Sequence, residues 1–277
     1  MRYQKPIKNN WLPNYNKISK LEQLILRSNL LGKDLKITNF GGGNTSSKII
    51  LKDPIDKKNK EILFVKGSGG DLGSIKRDGF ASLYMEKLIH LKKIYKGFSF
   101  EDEMVGYYPM CTFNNNPRAA SIDTPLHAYV PFPEVDHTHP DSVIALATMK
   151  NGRDVVKKVY QNKIGWLNWQ RPGFDLGLKM EKLIEKNNIN GIVLGHHGLF
   201  TWGVTSAECY KNSIDIIKLL HIEPILEKFP HQISAGEAQR ASLARSLVSQ
   251  PDLLMLDEPL SNVDQSFKEE IQVELKQ

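Results

Sequence analysis

The sequence predicts a layered α/β fold, a central β-sheet flanked by helices, and three observations point to it. Short β-rich runs alternate with amphipathic helical stretches along most of the chain. Apolar residues make up 40% and charged residues 25% of the 277 positions, the ordinary balance of a globular chain with a core. No apolar run reaches the roughly 18–20 residues that a membrane span needs. The Asn- and Pro-containing arm up to about residue 17 also lacks a continuous apolar stretch, so neither a signal peptide nor membrane insertion is expected.

The first helix is announced by Ser19-x-x-Glu22, a capping box, followed by the stripe Leu21, Leu24, Ile25 and Leu30, which Gly32 ends. SSKIIL (46–51) and EILFVKG (61–67) read as strands on either side of a charged turn beginning DPID. A helix is expected from Phe80 to Ile94 on the pattern ASLYMEKLIHLKKI. SIDTPLHAYV (121–130) reads as helical, VDHTH (135–139) as extended, and SVIALATMK (142–150) as helical again. GIVLG (191–195) is a strand leading into HHGLFTWG (196–203), and SAECYKNSIDIIKLL (206–220) is a further amphipathic helix.

The formal charge of +6 hides an asymmetry. Residues 223–277 carry five basic and ten acidic side chains, a net of −5, against a net of +11 over residues 1–222. The basic residues of the longer part are scattered and no nucleic-acid-binding motif accompanies them. They read as a solvated surface, with a field that also suits a phosphorylated small substrate, and no nucleic-acid partner is expected. Cys111 and Cys209 stand alone, which fits a reducing cytoplasm better than a disulfide framework and makes no zinc ribbon.

The strongest chemistry lies in VDHTHPD. On an extended backbone His137 and His139 point to one face, a geometry suited to two imidazoles on one metal; the alternative is a pair of surface or hydrogen-bonded histidines. A third ligand is sought in LGHHGLFTWG, where His196 and His197 would face opposite ways if extended. Three histidines with one position left open would make a catalytic rather than a structural zinc site. The Gly-rich stretches GGGNTSSK (41–48) and KGSGGDL (66–72) mark turns whose backbone N–H groups can approach an anion closely, with Asn44, Thr45 and Ser46 as further partners.

These stretches, with SIDTPLH (121–127), DHTHPD (136–141) and GHHGLFTWG (195–203), occur together and in this order. The chain over residues 15–220 thereby resembles the class II aldolase/adducin family, and within it the aldolase half of bifunctional rhamnulose-phosphate aldolase/alcohol dehydrogenases. The resemblance implies zinc ligands at His137, His139 and His197, the last chosen because it directly precedes Gly-Leu. It implies a proton-transferring acid/base at Asp123, one methylene shorter than the Glu of many relatives. His127, one helical turn on, could face Asp123, with a structural role preferred. The substrate-phosphate loops correspond to Gly43 with Asn44 and Ser68 with Gly69, with Ser121 adding a hydroxyl. The implied partner is a phosphorylated sugar, and relatives are commonly homotetramers. The implied reaction is cleavage of a ketose 1-phosphate to dihydroxyacetone phosphate and an aldehyde, lactaldehyde for rhamnulose 1-phosphate. Epimerases and dehydratases share the metal and the turns, and the adducin branch keeps the fold without the metal.

From about residue 222 the text changes. EPILEKFPHQISAGEAQRASLARSLVSQPDLLMLDEPLSNVD resembles the ATPase subunit of an ABC transporter. ISAGE matches the signature motif, implying ATP contacts from Ser234 and Gly236. LLMLDEP matches Walker B, implying Asp257 on magnesium through water and Glu258 as base, and SNVD with Asp264 matches the D-loop. The phosphate loop G-x-x-x-x-G-K-[ST] is missing: GGNTSSKI puts Ser47 and Ile49 where its second glycine and its hydroxyl belong. Productive ATP and magnesium binding is therefore not expected. No G-x-G-x-x-G follows the first part, so nicotinamide chemistry is not supported either. The expectation is a chimera: a C-terminally incomplete aldolase domain, 1–220, joined near residues 218–224 to a partial P-loop-NTPase-like fragment, 221–277. Its activity would be impaired, and the tail would retain at most an association with a transporter.

Overall fold

Of the two units into which the chain divides, residues 1–220 and 221–277, the computed structural model describes residues 7–219, within the first. Ser234, Gly236, Asp257, Glu258 and Asp264 lie outside the described residues.

Seven strands are present: β1 (Asn44–Lys52), β2 (Asn59–Lys66), β3 (Phe80–Tyr84), β4 (Glu134–Thr138), β5 (Ile164–Leu167), β6 (Gly191–Leu194) and β7 (Gly198–Gly203). They form one sheet in the order β3-β2-β1-β4-β7-β6-β5. Every neighbouring pair is antiparallel except β5 with β6. The helices are α1 (Lys20–Gly32), α2 (Met85–Ile94), α3 (Glu101–Gly106), α4 (Thr124–Ala128), α5 (Asp141–Thr148), α6 (Gly152–Tyr160), α7 (Phe174–Lys186) and α8 (Ser206–Leu219). The α/β layering expected from the alternation of elements is the architecture observed. The capping box at α1 is also present, with the Ser19 N–H donating to Glu22 Oε2 at 2.9 Å and the Glu22 N–H to Ser19 Oγ at 3.3 Å.

The expected helix over 80–94 divides instead. Phe80–Tyr84 pairs with β2 from Lys66↔Phe80 to Ile62↔Tyr84, and only Met85–Ile94 is helical. An aromatic at each end of FASLY suits a pleated surface, and Phe80 and Leu83 are buried there. Helices α6 and α7 and strands β5 and β7 add elements that the reading from sequence did not assign.

Period-two alternation separates the two faces of the sheet. On one face Val135, Phe200 and Trp202 pack with Leu126 of α4 and Met180 and Ile184 of α7. Burying each such side chain stabilises the fold by roughly 1.5–3 kcal/mol. On the other face, which meets α1 and α8, Glu134 and Asp136 are fully buried together with Arg27. The Arg27 guanidinium donates Nε to Asp136 Oδ1 at 2.8 Å, Nη1 to Ser206 Oγ at 2.8 Å and to Glu134, and Nη2 to the Ser46 carbonyl at 2.7 Å. Burial works against the charge on Arg27, but Asp136 and Glu134 more than offset it and hold its pKa above the ordinary arginine value. One side chain of α1 thus ties β1, β4 and α8 together. Arg27→Ala would leave two buried carboxylates without their cation and is expected to lower stability by about 3–5 kcal/mol in denaturant unfolding. A loss below about 1 kcal/mol would mean that the cluster adds little beyond packing.

Candidate metal centre and anion pocket

The end of β4 reaches the sheet edge where β1 and β7 begin. Asn44 of β1 pairs with His137, and His137 pairs with Phe200 of β7, so the three stand in one row across the sheet. The His137 ring stacks on Phe200, with centroids 4.2 Å apart and planes 11° apart. Its Nδ1 lies 3.2 Å from the Leu199 carbonyl, an acceptor only, which assigns the proton to Nδ1 and leaves the Nε2 lone pair free. His139, two residues on, brings its Nε2 to 2.9 Å from that of His137.

The third imidazole comes from the turn between β6 and β7. His196 takes a left-handed backbone (φ 54°), donates its N–H to the Ala147 carbonyl at 3.0 Å and stays exposed. This turn replaces the extended pair considered from sequence and delivers His197, whose Nε2 lies 3.2 Å from that of His137. Ligand atoms of His137, His139 and His197 all lie within 4.8 Å of one another. Burial holds all three histidines below their ordinary pKa, His139 down to about 4, with the neighbouring imidazoles adding to the effect at His137 and His139. They are therefore neutral at physiological pH, the form that ligates a metal. Three neutral imidazoles converging through one ring nitrogen each, with one ring held at its other nitrogen by a carbonyl, fit a divalent metal such as zinc. The close approach depends on Gly198, where a Cβ would meet the Thr138 carbonyl at 2.6 Å and His139 Cδ2 at 2.7 Å.

Asp123 precedes α4 and faces the same cavity. Burial lifts its carboxyl to about 6, against a hydrogen bond from Asn44 and the charge of Lys66, which pull it down. The other oxygen-bearing end of Asn44, Oδ1, is buried without a partner. His127 does not turn to Asp123. Its Nδ1 lies 2.8 Å from Ser46 Oγ, its ring packs against Phe200, and burial first, then Lys48, Arg27 and Lys66, push its pKa down to about 3. It supports the floor from behind.

The glycine turns complete the cavity. Gly43 has φ 73°, and a Cβ there would meet the His137 carbonyl at 2.8 Å, so the turn can approach β4 only as glycine. In the second turn the Ser68 N–H donates to the Ala119 carbonyl at 3.3 Å, and Arg118 Nη2 donates to the carbonyls of Ser68 at 2.6 Å and Gly69 at 3.0 Å. Ser68 therefore offers its hydroxyl, its amide being occupied. Ser121 Oγ accepts the Asp123 N–H at 3.2 Å. One cavity of about 260 Å³ is lined by Gly43, Asn44, Ser68, Gly69, Ser121, Asp123, His137, His139 and His197, whereas Thr45 and Ser46, expected beside them as anion partners, are fully buried with their hydroxyls 2.7 Å from Ser28 Oγ and 2.8 Å from His127 Nδ1. The cavity adds Lys66 and Pro172, which the reading from sequence did not single out. Lys66 was the first residue of KGSGGDL, a cation closing the apolar run ILFV, and that position was its signal.

Because the folded chain holds the Asp123 proton more tightly than the ordinary value of 3.8 would, it binds more protons than the unfolded chain between about pH 4 and 6. Stability from this group is present at low pH and lost as pH rises through that window. Asp123→Asn is expected to raise the Tm of the metal-free chain at about pH 7.5 and to change it much less at about pH 3.5, where the carboxyl is mostly protonated in both states. Equal shifts at both pH values in thermal melts would contradict the cause given for its raised pKa.

Comparison with known proteins bears on this site. The family model for the class II aldolase and adducin N-terminal domain matches residues 22–223. An uncharacterized oxidoreductase, YuxG of Bacillus subtilis, is 38% identical over 199 residues, 72% of this chain and 28% of that protein. The chain thus spans little more than a quarter of that relative's length. The N-terminal class II aldolase domain of a conserved Thermoplasma acidophilum protein superposes with a TM-score of 0.70 at 31% identity, covering 79% of this chain and 99% of that one. A sugar-phosphate aldolase from Thermotoga maritima shares the fold, with a TM-score of 0.55 at 13% identity over 75% of this chain and 95% of that one. A separate, short match is 39% identical over 80 residues to the spermidine/putrescine import ATP-binding protein PotA of Vibrio vulnificus, 29% of this chain and 21% of that one. With the family model covering most of its length and the layered fold shared with a solved domain of the same kind, the chain belongs to the class II aldolase and adducin N-terminal domain family.

Proposed function

We propose that the chain's first part is a metal-dependent sugar-phosphate aldolase that cleaves a ketose 1-phosphate. The observation that carries this reading is the meeting of three neutral imidazoles, one half-buried carboxyl of raised pKa and two glycine turns in a single cavity. His137, His139 and His197 would hold zinc. When bound, zinc would polarise a carbonyl oxygen and stabilise negative charge developing there.

The rest falls to the chain's own groups. Asp123, with a carboxyl lifted to about 6, changes protonation close to the working pH and so can take a proton from a substrate hydroxyl and return it to carbon. Asn44 donates to Asp123 and fixes its orientation. The turns at Gly43 and at Ser68 and Gly69, with the Ser121 hydroxyl, receive the phosphate. Asp is one methylene shorter than the Glu of many relatives, and it lines the same cavity as the three histidines. The products are dihydroxyacetone phosphate and an aldehyde, lactaldehyde if the sugar is rhamnulose 1-phosphate. The active form is a cytoplasmic homo-oligomer. Among the described residues no helix is long and apolar enough to cross a membrane. The segment from residue 221 is a fragment of an ABC-type ATP-binding subunit, a reading that the short match to an import ATP-binding protein supports. Transporter ATPase activity and an adducin-like, non-catalytic role are the competing readings.

His139→Ala is expected to lose bound zinc and cleavage together, measured by metal analysis and a retro-aldol assay. Asp123→Asn should keep its zinc while its kcat falls by roughly 10²–10⁴-fold. In the parent chain kcat/KM should rise with pH through about 6, and Asp123→Asn should lack that limb. A zinc-free His139→Ala chain that still cleaves would overturn the proposal, and a zinc-loaded parent chain inert toward every ketose 1-phosphate offered would favour the adducin-like role.

A further inference from the structure

A second cavity, of about 480 Å³, lies among β1, α2, α7 and the segment 128–133 that joins α4 to β4, and it shares no lining residue with the first. Its volume falls in the range of small-molecule sites. Bonds within the fold fix its walls. The Tyr129 hydroxyl donates to the Leu88 carbonyl at 2.9 Å, and Phe132 stacks on Trp202 with ring centroids 5.7 Å apart. Lys92 pairs with Glu181 at 2.5 Å and lies 4.4 Å from the centre of the Tyr129 ring, so these two charges cancel within the wall.

Lys48 is placed differently. It extends from β1 along the cavity, half-buried, and its Nζ donates to the Val130 carbonyl. Among the described residues no carboxylate lies within ion-pair distance of it. Burial pushes its pKa down to about 8; Glu61 of β2 and Glu181 of α7 pull it partly back, and Lys92 of α2 adds to the fall. His127 of α4, which also feels the Lys48 charge, is neutral. A bond to a carbonyl uses an N–H, so the lone pair of the neutral amine stays unengaged. A desolvated lysine of this kind is a nucleophile toward carbonyl carbon. Met85, Ile89 and Phe132 line the same space with apolar surface, which suits an uncharged chain rather than a phosphate.

We propose that Lys48 is the nucleophile of a second site, which takes a small uncharged aldehyde with an apolar chain and holds it as an imine. The nitrogen lone pair forms the bond to the carbonyl carbon, whose π pair passes to oxygen. Both protons of the neutral amine pass to that oxygen, which leaves as water, and a carbon–nitrogen double bond remains. The step needs neither oxidant nor reductant.

The test treats the zinc-loaded full chain with propanal and cyanoborohydride, which reduces the imine to a stable secondary amine, and locates the label by peptide mass spectrometry. At about pH 7.5 Lys48 carries on the order of a hundredfold more neutral amine than a lysine of ordinary pKa. Its label is therefore expected to form at least tenfold faster than that of the exposed Lys20 and Lys33. The rate should saturate in propanal and level off above about pH 8, where that of the exposed lysines still climbs. Lys48→Arg should lack the fast label. Ile89→Trp, at a position 48% exposed where it lines the cavity, should slow it several-fold and leave the other lysines unchanged. Labelling of Lys48 at the pace of the exposed lysines, a rate linear in propanal, or an Ile89→Trp chain that labels like the parent overturns the proposal. Fast, saturable label at Lys48 in a chain that cleaves no ketose phosphate upholds it, since the two cavities are lined by different residues.

Discussion

Arg27 brings a single positive charge into a fully buried space already occupied by two carboxylates, a strand carbonyl and a hydroxyl from α8. Its planar fork can satisfy all of them in only one arrangement of α1, β1, β4 and α8. That arrangement fixes which face of β4 is polar. Glu134 and Asp136 point to Arg27, so Val135 and His137 must point the other way. A slip of one residue in β4 would bury His137 against α1 and leave the carboxylates facing the apolar cluster around Phe200 and Trp202. Asp136 also accepts from Cys209 at 3.2 Å and Ser213 at 3.3 Å, so α8 reinforces the same choice of face. The three converging histidines stand on the far side of this lock.

How far the sequence discloses the site depends on how local each geometry is. His137 and His139 follow from the period of an extended chain, and the glycine turns from residues that only glycine replaces without strain. His197 is different. Its neighbour His196 adopts a left-handed backbone that no periodicity signals, so the choice between the two rested on family likeness, and the structure supplies the physical reason. FASLY reads as helix because its apolar spacing continues into MEKLIHL. The pairing with β2 that makes it a strand is a contact between segments about twenty residues apart, invisible to local pattern. Lys66 escaped because a lysine at the end of a strand is usually solvated. What distinguishes it is burial, and burial belongs to the fold.

The cavity keeps its titrating groups apart by environment. Histidines that would be cationic at mildly acidic pH are held neutral by burial and by one another, while Asp123 is lifted toward neutrality yet kept partly charged by Asn44 and Lys66. Burial thus works in opposite directions on the two kinds of group within one small space, lowering the imidazoles and raising the carboxyl. The protein accepts a destabilised carboxyl there, and the paired charges around Arg27, on the opposite face of β4, are the conventional counterpart.

The imidazoles come from the end of β4 and the turn leading into β7, whereas the glycine turns lie on the entry to β1 and the exit of β2. Between these two sets the only strand pairing is β1 with β4, with Asn44 opposite His137. The halves of the site are joined by one ladder and share no loop. Lineages descending from such a chain can therefore remodel residues 68–70, changing what the turn holds and at what distance, without touching the three histidines, whereas the turn at Gly42 and Gly43 packs against His139 and His137 and is tied to them. Diversification of substrate with retention of the metal is the evolutionary path this topology leaves open.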